Sequence, residues 1–136
     1  MPVNGSCHCG AITFEADVDP ARVAICHCTD CQKLTGSAFR VTVTTTREQL
    51  QLLSGAPRVY EKTGESGARS YQHFCGSCGS PLYRSGDSDD RQAEIGLRWG
   101  AIAERDELVP RKQTWCRSRP DWTLGLAGLD AYQKEG

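Results

Sequence analysis

The chain has 136 residues, 38% of them hydrophobic and 24% charged, with a formal net charge of -1. That length suits one domain over residues 1–136, with room for a single core. No apolar run approaches the roughly 20 residues that cross a bilayer, and Lys and Arg are scattered rather than gathered into the basic stripe that nucleic acid requires, so neither membrane nor nucleic acid is an expected partner.

The opening segment MPVNGSCHCG has neither the basic leader nor the apolar stretch of a secretory signal, which points to the cytoplasm. Eight cysteines in a reducing compartment stay thiols unless a metal holds them. Taken in chain order, AITFEADV sets Ile12, Phe14 and Ala16 on one face of a strand. RVAIC at 22–26 reads as a second strand. TDCQKL reads as one or two helical turns, capped by Thr29 or Asp30 and stopped by Gly36. AFRVTVTT puts Phe39, Val41 and Val43 opposite Arg40 and Thr42, and TTREQL at 45–50 offers a further helical turn. Strands follow at 58–63, 69–75, 81–85, 93–100 and 112–116, separated by SGAP, TGESG and the solvated acidic turn of SGDSDD. The tail from Trp122 to Tyr132 is too Gly-rich to assign. Many short strands with Gly-rich turns predict packed sheets rather than a helical bundle. Trp99, Trp115 and Trp122 are expected in the core rather than against a substrate.

The cysteines carry the functional signal. Cys7-His8-Cys9 and Cys26-His27-Cys28 repeat one C-x-C pattern, and residues two apart on a strand share a face, so each copy delivers two sulfurs to one point. The intervening imidazoles then face away, and His73 reads as a surface or core histidine. Cys75-Gly76-Ser77-Cys78-Gly79 has the C-x2-C spacing of a zinc knuckle, with glycines where the chain turns sharply. Cys31 completes a local three-thiolate claw with Cys26 and Cys28. Cys7 and Cys9 have no third thiol nearby, so Cys75 and Cys78 are their natural mates. A metal joining these distant segments turns binding energy into folding energy.

Cys7, Cys9, Cys75 and Cys78 are therefore expected to hold a structural Zn²⁺. Cys26, Cys28 and Cys31 are expected to hold a second, catalytic Zn²⁺ with one open position. If Cys116 supplied a fourth sulfur, the second site would be closed and merely structural; otherwise Cys116 is a buried or lone thiol. Tetrahedral thiolate sites also accept iron. Three thiolates make the metal a weak Lewis acid toward water but a good seat for a soft ligand, so a substrate thiol poised to add to an aldehyde is the favoured chemistry.

The ordered segments GSCHCGAITFE, CHCTDCQKLTGSAF, FCGSCGSPLY and the ending at Trp122 resemble the family of glutathione-dependent formaldehyde-activating enzymes, which includes the centromere protein V relatives. The resemblance implies a mainly β fold of stacked antiparallel sheets stapled by zinc, the β-tent or Mss4-like fold. It also implies two zinc ions divided among the cysteines as above. The implied activity is that of a carbon-sulfur lyase making S-hydroxymethylglutathione from formaldehyde and glutathione, or acting on a related thiol. Gly36, Ser37 and Phe39 would line the pocket, and Lys33, Arg40 and Arg98 are candidates for substrate carboxylates. The alternative is a non-catalytic zinc scaffold or protein-interaction module of the same fold, and a homo-oligomer is left open.

Overall fold

Ten strands carry the chain of the computed structural model, which describes residues 1–136. They are β1 (Pro2–Ser6), β2 (Thr13–Asp17), β3 (Val23–Cys26), β4 (Arg40–Thr46), β5 (Leu50–Ser54), β6 (Arg58–Thr63), β7 (Arg69–Phe74), β8 (Pro81–Gly86), β9 (Glu94–Arg98) and β10 (Lys112–Thr114). One helix, α1 (Thr29–Thr35), lies between β3 and β4, and short 3-10 turns fill the C-terminal third. β1, β2 and β5 form a three-stranded sheet in the order β1-β2-β5; the others form a seven-stranded sheet in the order β10-β3-β4-β9-β8-β7-β6. The mainly β architecture of stacked sheets is the expected one. It is antiparallel throughout except at one end, where β10 runs parallel to β3.

Alternation places the core. Val3 on β1 and Phe14 and Ala16 on β2 point inward from the small sheet and join Val43, Leu82, Ile95 and Leu97 of the large one in a single hydrophobic cluster. Burying each larger side chain is worth about 1.5–3 kcal/mol. The small sheet is fastened further by Asn4, whose carbonyl accepts from Ala103 N–H at 2.8 Å and whose own N–H donates to Glu104 Oε1 at 2.8 Å.

Several local expectations change. α1 is capped by Cys28, not by Thr29 or Asp30: the Cys28 sulfur accepts from Cys31 N–H at 3.3 Å, as a serine oxygen would. Gly36 ends the helix with φ of 64°, as its position predicts. Residues 47–49 form a reverse turn between β4 and β5 rather than a helical one, since Leu50 is drawn into β5. Neither Cys-His-Cys copy lies within a strand; the first is a turn after β1, and the second runs from the end of β3 to the helix cap.

The tryptophans divide. Trp99 packs against the core and donates to the Leu108 carbonyl at 2.9 Å, whereas Trp115 and Trp122 are exposed, contrary to the expectation of burial. Their carrier segments are 3-10 turns and loops that follow the last strand and have no facing sheet. No helix is long and apolar enough to cross a membrane.

Candidate metal centres

Two loops build the first centre. Cys7 and Cys9 lie in the β1–β2 turn, and Cys75 and Cys78 lie in the β7–β8 turn. Each turn closes on a glycine: Gly10 N–H donates to the Cys7 carbonyl three residues back at 3.2 Å, and Gly79 N–H to the Cys75 carbonyl four residues back at 2.8 Å. Gly10 and Gly79 then take φ of 81° and 79°, the left-handed region that glycine enters freely. Gly76 does not need positive φ. A Cβ there would instead meet the Arg58 side chain at 2.6 Å.

The four sulfurs lie within 4.8 Å of one another. Cys7 Sγ is 3.6 Å from Cys9 Sγ, which is 3.8 Å from Cys75 Sγ. Bonds of about 2.3 Å to a central zinc would give a tetrahedron with edges of about 3.8 Å, so these spacings fit a four-thiolate site. Backbone N–H groups of Ile12 and Ser77 point at Cys7 and Cys75 sulfurs from 3.3 and 3.4 Å, the environment of a thiolate. The Ser80 hydroxyl, 3.2 Å from Cys78 Sγ, holds that thiol down at about 5.

The second centre is local. Cys26 ends β3, Cys28 caps α1 and Cys31 lies in its first turn, which brings their three sulfurs within 4.8 Å. Cys116 is not among them; it is an exposed thiol in a 3-10 turn. Burial and the adjoining Cys28 and Cys26 sulfurs push the Cys31 thiol up to about 12. Sulfurs this close cannot all ionise side by side unless a cation lies between them, and the donor set therefore suits a thiophilic divalent ion.

His27 faces away from the claw, as the sequence predicts. It is buried, with Nε2 2.8 Å from Gln113 Oε1 and its ring edge-on to Phe39. His8 is exposed, and His73 is half-buried, stacked on Tyr83 and bonded to Ser85.

The claw opens into a cavity of about 300 Å³ whose other walls include Arg40, Gln72, Arg84, Arg98 and Trp115. Arg40 Nη1 and Arg98 Nη2 both donate to Gln72 Oε1, at 2.9 and 2.7 Å, and Arg98 Nη1 donates to Thr42 Oγ1 at 2.9 Å. Burial first, and the like charge of Arg40 next, pull the Arg98 guanidinium down to about 9. Trp115 is the one non-glycine residue with positive φ, 56°, and it forms the rim with Arg117 4.8 Å from its ring.

Of the other predicted substrate contacts, Phe39 lines the cavities on either side of β4's start, while Lys33, Gly36 and Ser37 are exposed around the end of α1. Gln72, Arg84 and Thr42 also line the claw's cavity, a role not expected of them from the sequence. Polar residues at alternate positions of β7 and β4, where an all-core face would be apolar, were the signal available.

Residues 2–118 match the family model of the glutathione-dependent formaldehyde-activating enzyme. A Halomonas elongata protein provisionally given that same enzyme name is 28% identical over 129 residues, covering 90% of this chain and 80% of its own. A crystal structure of a Rhodobacter sphaeroides protein superposes with a TM-score of 0.62 at 21% identity, over 82% of this chain and 99% of the other, which establishes a common fold.

Proposed function

The chain belongs to the family of glutathione-dependent formaldehyde-activating enzymes, and from that premise we propose that it joins a thiol to an aldehyde, with glutathione and formaldehyde as the pair. The observation that carries the reading is the claw: three sulfurs within 4.8 Å at the wall of a cavity, with no fourth sulfur among them. Cys7, Cys9, Cys75 and Cys78 serve as the structural set, and Cys26, Cys28 and Cys31 as the catalytic set. Zinc bound by the claw would supply a Lewis-acidic position that lowers the pKa of an incoming thiol.

What the protein itself contributes is placement and charge. The claw fixes where sulfur enters, and the buried guanidinia of Arg40 and Arg98 favour an anion beside it. The reaction balances without an oxidant. Sulfur adds to the carbonyl carbon, the carbonyl electron pair moves to oxygen, and that oxygen takes up a proton equivalent to the one lost by the thiol. Run backward, a carbon-sulfur bond breaks, which is lyase chemistry.

Exchange NMR on formaldehyde, glutathione and their adduct tests the proposal. The protein should accelerate interconversion, and Cys28→Ala should return the rate to the spontaneous one. Equal rates with and without the wild-type protein would remove this substrate pair.

A further inference from the structure

A second cavity, of about 500 Å³, shares no lining residue with the one beside the claw. Its floor follows from the parallel pairing of β3 and β10, which sets Gln113 opposite Ile25. Side chains two apart share a face, so Ile25 and His27 lie on one side with Arg111 and Gln113, while Cys26 turns to the other. All four line the cavity. The chain then returns to complete the wall with Arg119, Leu124 and Leu126, beyond the residues 2–118 that match the family.

Three features of this cavity go unanswered within the protein. Arg111, Lys112 and Arg119 line it, no Asp or Glu does, and none of the three forms an ion pair. A chain with 17 acidic and 16 basic residues has acids enough to match them. Leu124 and Leu126, on the same wall, are 71% and 51% exposed. His27 is 2% exposed, and with Gln113 Oε1 accepting from its Nε2 at 2.8 Å, its Nδ1 is left a buried acceptor without a partner. A wall packed only for stability would not leave such an atom.

We propose that this cavity binds a phosphate monoester with a compact apolar body. Its phosphate lies among Arg111, Lys112 and Arg119, and its body lies against Ile25, Leu124 and Leu126. Three positive charges exceed what one carboxylate answers, whereas a phosphate dianion offsets two of them. The two guanidinium forks suit its terminal oxygens. The volume is that of a small-molecule site, too small for the paired acyl chains of a membrane lipid. The site stands apart from the reaction proposed for the claw.

The test is calorimetric titration of the zinc-loaded protein with 1-naphthyl phosphate, 1-naphthoate, 1-naphthol and inorganic phosphate. The aryl phosphate should bind about tenfold more tightly than each of the others. Arg119→Met, which keeps an apolar stem and removes the charge, should weaken it about tenfold and leave 1-naphthol unchanged. If that variant fails to fold, Lys112→Met, at an exposed position, takes its place. Leu124→Ser should weaken 1-naphthol and 1-naphthyl phosphate alike and leave inorganic phosphate unchanged. Phosphatidate vesicles should not compete with the aryl phosphate.

Inorganic phosphate or 1-naphthoate binding as tightly as 1-naphthyl phosphate would overturn the proposal. So would undiminished binding of the aryl phosphate in Arg119→Met or in Leu124→Ser, since it would place the ligand elsewhere on the protein. Vesicle competition that Arg119→Met abolishes would assign these cations to a lipid headgroup and overturn the small-molecule site.

Discussion

A single residue separates the two Cys-His-Cys copies: Cys31, which the second has and the first lacks. The roles proposed for the two sets give opposite outcomes on mutation. Cys28→Ala should leave a folded protein with one fewer zinc by elemental analysis, because the claw closes no long loop. Cys75→Ala removes a ligand that faces Cys9 across 66 residues, and it should lower unfolding stability by at least ~3 kcal/mol in denaturant titration or prevent folding. Equal stability of the two variants would refute the division. The glycines offer a finer comparison. Gly79→Ala meets no atom within 4 Å but must hold φ near 79°, and should cost about 1–2 kcal/mol. Gly100→Ala, also in open space and without positive φ, should change the melting temperature little.

Among the elements, β1 and β5 are the ones that no sequence pattern disclosed. Val3 and Gly5 of β1, and Cys7 just beyond its end, alternate inward, so the period is present but glycine hides its middle member. Gly5 stands there because Phe14, its register partner on β2, fills the space: an added Cβ would lie 2.0 Å from the ring. Gly5→Ala should therefore destabilise by about 1–3 kcal/mol in chemical denaturation, and a silent substitution would mean the ring can move aside. β5 reads LQLLS, with exposed leucines that blur inside and outside at the free edge of the small sheet. The strands from β6 to β9 were legible because turn residues delimit them. β1 also depends on Glu104, whose carboxyl is held below the usual range by the Asn4 N–H. A depressed carboxyl contributes stability that is present above its unfolded pKa, near 4.5, and lost as pH falls through the folded value. Wild type should lose more stability than Glu104→Gln between about pH 5.5 and pH 3, read by thermal melting at each pH; parallel curves would place the interaction only on the surface.

At the level of the whole molecule, the sulfur sets could be read from the chain because their spacing is local or forms two recognisable halves. The arginine wall could not be read as a unit. Arg40, Gln72 and Arg98 come from β4, β7 and β9, and Gln72 meets the two arginines only through packing and side-chain reach, since β8 lies between β7 and β9 in the sheet. Likewise nothing in the sequence placed Trp115 at the rim of the cleft, since that position follows from β10 pairing in parallel with β3.

That parallel pair also orders events in time. β10 is the last strand of the chain, and it completes the side of β3 from which the claw begins, with His27 N–H donating to the Thr114 carbonyl at 3.1 Å. During synthesis, residues 26–31 emerge early, and the four-sulfur staple can close once residue 78 is out. The strand that steadies the claw arrives only with residues 112–114. A nascent chain, folding progressively as it leaves the ribosome, thus brings its four distant sulfurs together before its three-cysteine claw acquires a wall.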